Sequence, residues 1–254
     1  MLRLWPETLH VGLFPGCCWL RCGAADLDIP EVARVVSADA DLLSSLAAML
    51  EAQGATLRKG SRIDILVSDS VAMLAVLPWQ EQLSSPAEMH GYAVACFEQQ
   101  GIEISDSWTL QTAFRSHRAA GLGYAVRTDW IGRLLAIVQA AGLRLGSVLP
   151  VSAAAYWRHR PPSRTKQSTL LLSEAKRLTA LSFSGRCLHS IDIEPVTACS
   201  IAGTRLVTRV QAVSGMAPQV GLWAPEGGKP DGVALAGLPD IELAILPSDR
   251  WSHD

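Results

Sequence analysis

No uncharged apolar stretch of this 254-residue chain approaches the ~18 residues that a bilayer-spanning helix needs. A secretory leader is missing too: Pro6, Glu7 and His10 interrupt the N-terminus where an apolar core of ~7–15 residues would stand. The expectation is a cytoplasmic protein with no membrane insertion of its own. Charge is scarce, at 18% charged residues with a net charge of −2, so the electrostatic footprint of a nucleic-acid or anionic-membrane binder is absent. The one basic cluster, Arg158, His159, Arg160, Arg164 and Lys166, reads as a solvated linker. Six cysteines without a leader suit buried thiols better than a disulfide framework. Neither HExxH nor G-x-S-x-G occurs. Gly121 and Gly123 precede a strand, and Gly227-Gly228 has no helix after it, so neither pair makes a phosphate loop.

What the chain does have is apolar content, 49%, enough for sizeable cores in one large domain or two lobes. "TLHVGLFPGCCWLRCG" predicts a hairpin, Thr8–Phe14 and Cys17–Cys22, turning at Pro15-Gly16. Asp41–Glu51 has helical spacing. "RIDILVSDSVAMLAVLPW" predicts a pair of strands, Ile63–Val67 and Val71–Leu77, with Ser68-Asp69-Ser70 as their turn. Asp69 reads as an Asx-type turn former rather than a catalytic carboxylate. "SPAE" at 85–88 is a capping box opening a helix that stops at Gly101.

Strands at Trp108–Phe114 and Gly123–Val126 precede a helix capped by Thr128 and ended by Gly142. Leu143–Leu149 is a strand and Val151–His159 a short helix, cut off by Pro161-Pro162. The two prolines and "SRTKQS" mark the best boundary, separating residues 1–162 from 163–254. Beyond it come a meander (Thr169–Leu172, Thr179–Phe183, Cys187–Ile193), a helix through Leu206, Val207, Val210 and Val213, and strands at Val220–Ala224 and Glu242–Leu246.

That order predicts an α/β fold of two lobes, each opening on antiparallel strands, as in actin-like (ASKHA, RNase H-like) proteins. The segments Ile63–Trp79, Ala87–Glu98, Trp108, Ala141–Arg160 and Thr169–Ile193 resemble the actin-like assembly proteins of bacterial envelope machines, the GspL cytoplasmic domain of type II secretion and PilM of type IV pili. The resemblance implies a non-catalytic scaffold beneath the inner membrane. Its implied partners are inner-membrane assembly proteins and a motor ATPase.

Actin-like enzymes hold ATP between the first hairpin turns of their lobes, using an Asp for the Mg²⁺ shell and small residues whose N–H groups approach phosphate. The first turn here, Phe14-Pro15-Gly16-Cys17, has no carboxylate, a bulky ring, and a proline without an N–H. The second, Ser173-Glu174-Ala175-Lys176, has no glycine, and Glu174 would face phosphate charge. The expectation is a degenerate nucleotide site and no cofactor.

Other constellations read blandly. Cys18 and Cys22 share a strand face about 13 Å apart, too far for one zinc with ~2.3 Å Zn–S bonds, so Cys17, Cys18 and Cys22 are expected in the core. Cys187 and His189 lack further ligands at metal spacing. Trp130 and Trp157 are candidates for a partner surface, while Trp79 and Trp108 are expected in the core. An active actin-like ATPase or kinase, and a thiol-based metal or redox module, stand as the rival readings.

Overall fold

The computed structural model describes residues 8–22, 33–35, 41–159, 167–195, 219–225 and 242–246. In chain order its elements are β1 (Thr8–Phe14), β2 (Cys17–Cys22), β3 (Ala33–Val35), α1 (Leu42–Ala52), β4 (Arg62–Val67), β5 (Ala72–Leu77), α2 (Pro86–Gln99), β6 (Trp108–Ala113) and β7 (Gly121–Arg127). There follow α3 (Thr128–Ala140), β8 (Arg144–Pro150), α4 (Val151–Arg158), β9 (Gln167–Glu174), β10 (Arg177–Ser184), β11 (Cys187–Pro195), β12 (Gln219–Trp223) and β13 (Glu242–Ile245). The boundary near Pro161-Pro162 and the helix through Leu206 lie outside the described residues.

Two five-stranded sheets share one plan, β3-β2-β1-β4-β8 and β11-β10-β9-β12-β13. In each, a hairpin (β1–β2, β9–β10) is flanked by an antiparallel strand on one side and two parallel strands on the other. A third sheet, β5-β7-β6, is antiparallel and packs against α2 through Ala75, Leu77, Phe97 and Cys96. The helices α1 and α3 touch each other and the first sheet, while α4 reaches β4, β7, β8 and β10. Every residue of α4 from Val151 to Tyr156 is buried, as expected of a short helix wedged between sheets.

The capping box forms: Glu88 N–H donates to Ser85 Oγ at 3.2 Å, and Ser85 N–H to Glu88 Oε2 at 3.1 Å. Thr128 does not cap. The helix α3 starts at that residue, Arg127 holds the cap position without a side-chain bond, and Thr128 Oγ1 instead lies 3.0 Å from Thr109 Oγ1 on the neighbouring strand.

The larger correction concerns Ile63–Val67 and Val71–Leu77, which are not paired. The strand β4 lies between β1 and β8, whereas β5 pairs with β7 in the third sheet. Each strand buries side chains in the core of its own sheet, Ile63, Ile65 and Val67 in β4 and Ala72, Leu74, Ala75 and Leu77 in β5, and this, rather than pairing, explains the two apolar runs. Between them a 3-10 turn, Asp69–Val71, carries the chain out of one sheet and into the other. Its local bond comes from Ser68, whose Oγ accepts from Ser70 N–H at 3.1 Å. The Asp69 side chain points elsewhere.

Candidate functional site

The hairpin tips and the Asp69 turn meet between the two larger sheets. At the first tip Phe14 is 1% exposed and stacks on Trp19, with ring centroids 6.5 Å apart at 27°. Trp19 in turn lies on Gly12: a Cβ there would sit 2.2–2.5 Å from the indole, so the flat approach of ring to strand requires glycine. Gly16 takes φ +82°, a left-handed value that its lack of a side chain permits. Pro15 precedes it and supplies no N–H.

At the second tip the turn is Ala175-Lys176, because Glu174 pairs with Arg177 as the last rung of the hairpin. The predicted turn position of Glu174 is thereby corrected. Its side chain does not line an open crevice; the residue is 3% exposed, and its Oε1 accepts the Asp69 N–H at 3.2 Å. Asp69 is fully buried. Its Oδ1 accepts from Ser152 N–H at 2.9 Å and its Oδ2 from Ser152 Oγ–H at 2.5 Å, both at the start of α4. The Arg177 guanidinium donates to the Asp69 carbonyl oxygen at 2.5 Å. Asp69 thus touches α4 with its carboxylate and the second hairpin with its backbone.

Burial pushes the Asp69 carboxyl above its ordinary range, while the Ser152 bonds, the Arg177 charge and Thr179 pull the other way. Glu174 is pushed up to about 8, by burial first and the Asp69 charge second, against weaker pulls from Ser68, the Asp69 N–H and Arg177. Its Oε2 is buried and makes no hydrogen bond. The sequence reading noted Glu174 and Asp69 separately and missed Ser152 and Arg177. The available signal was an acid at the end of an apolar run in each case: Glu174 closes β9, and Asp69 stands two residues beyond β4.

Arg115 makes a separate junction. It follows β6, donates to the carbonyl oxygens of Tyr156, His159 and Arg186, and lies over the rings of Tyr156 and Phe183 at 4.5 and 5.4 Å. These contacts join the third sheet to α4 and to the β10–β11 turn.

The remaining candidates fall as follows. Cys18 is 1% exposed, its Sγ 4.0 Å from Met49 Sδ, and burial pushes its thiol up to about 12, the behaviour of a core residue. Cys17 and Cys187 are half-buried, and His189 is exposed beside a register shift in β11. Among the described residues no three His, Cys, Asp or Glu side chains gather as a metal site. Trp130 is buried at 8% exposure in the core under α3 and presents no face to a partner. Trp157, at 42%, lies at the surface. Trp79 and Trp108 are half-buried; Trp79 meets Phe114 edge-on, and Arg127 lies over Trp108.

No family model and no curated protein matches the chain. Solved structures do. The PilM–PilN type IV pilus biogenesis complex aligns with TM-score 0.63 and 11% identity, over 96% of this chain and 89% of that one. A Bacteroides thetaiotaomicron protein of unknown function with an actin-like ATPase fold aligns with TM-score 0.60 and 9% identity, over 94% and 90%. The cytoplasmic domain of EpsL, an inner-membrane component of the Vibrio cholerae type II secretion system, aligns with TM-score 0.57 and 12% identity, over 95% and 90%. The fold is actin-like. Among the described residues no helix is long and apolar enough to cross a membrane.

Proposed function

We propose that this chain is a non-catalytic scaffold of a type II secretion or type IV pilus-like machine, cytoplasmic and held near the inner membrane through a partner. Its lobes, residues 1–162 and 163–254, dock the short cytoplasmic tails of inner-membrane assembly proteins and relay assembly to a motor ATPase. The fold likeness to a PilM–PilN complex and to an inner-membrane secretion component supports the setting.

The observation that supports the non-catalytic reading is the chemistry of the two hairpin turns. The positions that would cradle a nucleotide's phosphates, Phe14-Pro15-Gly16 and Ser173-Glu174-Ala175, hold a buried ring and a buried acid. The first turn has no carboxylate to hold a metal's hydration shell, and Gly16 is the single glycine in the two turns, so little backbone N–H is free to approach phosphate. No cofactor is required. Trp157 is the aromatic best placed to contribute to a partner surface.

Two measurements test this. Calorimetry with Mg²⁺ and ATP is expected to give no binding heat; a micromolar dissociation constant overturns the reading in favour of an active actin-like ATPase or kinase. Binding assays with the cytoplasmic tails of candidate inner-membrane proteins are expected to find one that associates, and weakened association in Trp157→Ala would place Trp157 at the contact. Failure of every tail at tens of micromolar removes the docking mechanism.

A further inference from the structure

The carboxyl groups of Asp69 and Glu174 come from different lobes and meet through one backbone amide. They are unequally served. Both Asp69 oxygens accept donors from Ser152 at the N-terminal end of α4, where the helix dipole also favours an anion. Glu174 accepts one N–H on Oε1; the Ser68 hydroxyl beside it gives its proton to Ser70 Oγ, and Oε2 is buried without a partner.

The groups facing the pair from each packed element offer little more positive charge. Arg177 on β10 directs its N–H to the Asp69 carbonyl oxygen. The first turn of α4 carries no acid, and the first hairpin tip presents Phe14, Pro15, Gly16 and Cys17. Lys176, at the second tip, is exposed. Two carboxylates against one guanidinium would leave an uncompensated charge away from water, which is costly. The favourable arrangement ionises the well-served Asp69 and leaves the proton on Glu174.

We propose that a protonated Glu174 latches the two lobes at the hairpin tips, and that loss of this proton loosens the contact between the second hairpin and the Asp69 turn. The sign follows from linkage. Opened to water, Glu174 returns to the ordinary carboxyl value of 4.5, whereas closed it keeps its proton up to about 8. Opening therefore releases a proton. The latch is at full strength below the lower value, weakens as pH rises through the interval, and is constant above the upper one.

The test is amide hydrogen exchange on the whole chain across pH, corrected for intrinsic rates. Protection of the Asp69 and Ser152 amides is expected to fall by about tenfold or more between about pH 5.5 and about pH 8.5, then level off. Amides of Leu170 and Leu181, in the middle of the second sheet, are expected to change much less. Glu174→Gln keeps the shape and the acceptor but has no proton to lose, and is expected to flatten the Asp69 profile. An infrared band of a protonated carboxylic acid, present in the wild type at neutral pH and lost near pH 8, is expected independently of that variant's folding. Unchanging protection of the Asp69 amide in the wild type, absence of the infrared band, or an equally steep profile in Glu174→Gln would each overturn the proposal.

Discussion

The hairpins β1–β2 and β9–β10 occupy the same place in the two repeats of the sheet order, yet end in opposite chemistry. Phe14 faces Cys17 where Glu174 faces Arg177, and two rungs back Gly12 faces Trp19 where Leu172 faces Thr179. In the first lobe the tip is an aromatic stack that consolidates its own sheet. In the second it is an acid and a guanidinium that reach across to Asp69. The backbone plan sets where the tips are; the side chains decide whether a tip serves its own lobe or binds the other one.

The largest expected effect comes from unmaking the aromatic end. Phe14→Ala is expected to cost about 3–5 kcal/mol in chemical denaturation, the range for truncating a buried ring. A loss under about 1 kcal/mol would mean that the first tip is not part of the core. At the charged end, wild-type stability is expected to decline as pH rises from 4.5 to about 8, by on the order of 3 kcal/mol, because the folded chain holds a proton that the unfolded chain releases. Denaturant titrations at several pH values should show that slope, with Glu174→Gln removing most of it.

Gly12→Ala tests the close approach of Trp19. With a Cβ 2.2 Å from the indole the ring must shift, and a destabilisation of about 1–3 kcal/mol is expected, with altered tryptophan fluorescence. Smallest are the tip residues themselves. Pro15→Ala is expected to lose about 0.4–1 kcal/mol through a freer unfolded chain, whereas Lys176→Ala, exposed in the other two-residue turn, should stay within about 0.5 kcal/mol. Equal effects at the two tips would erase the contrast between them.

Elements governed by local chemistry were legible. The Pro15-Gly16 hairpin, the Ser85–Glu88 box and the β9–β11 meander stand where turn residues and periodicity put them. What periodicity cannot encode is which sheet an apolar strand joins, so Ile63–Val67 and Val71–Leu77 read as partners although they part at Asp69. The site was half legible for the same reason. Phe14 and Glu174 were singled out by composition at the tips, but the Asp69–Glu174 contact joins residues 105 apart, and only the packed fold brings them together. Trp130 and Trp157 looked alike as helix tryptophans; packing beneath α3 buries one, and the outer face of α4 exposes the other.

Arg115 carries a mechanical consequence. Its guanidinium serves three backbone carbonyls drawn from α4, the residue just after it, and the β10–β11 turn, so the small sheet is geared to both of its neighbours through one side chain. A load applied to that sheet is expected to reach the far hairpin, because displacing Arg115 breaks all three of these bonds together.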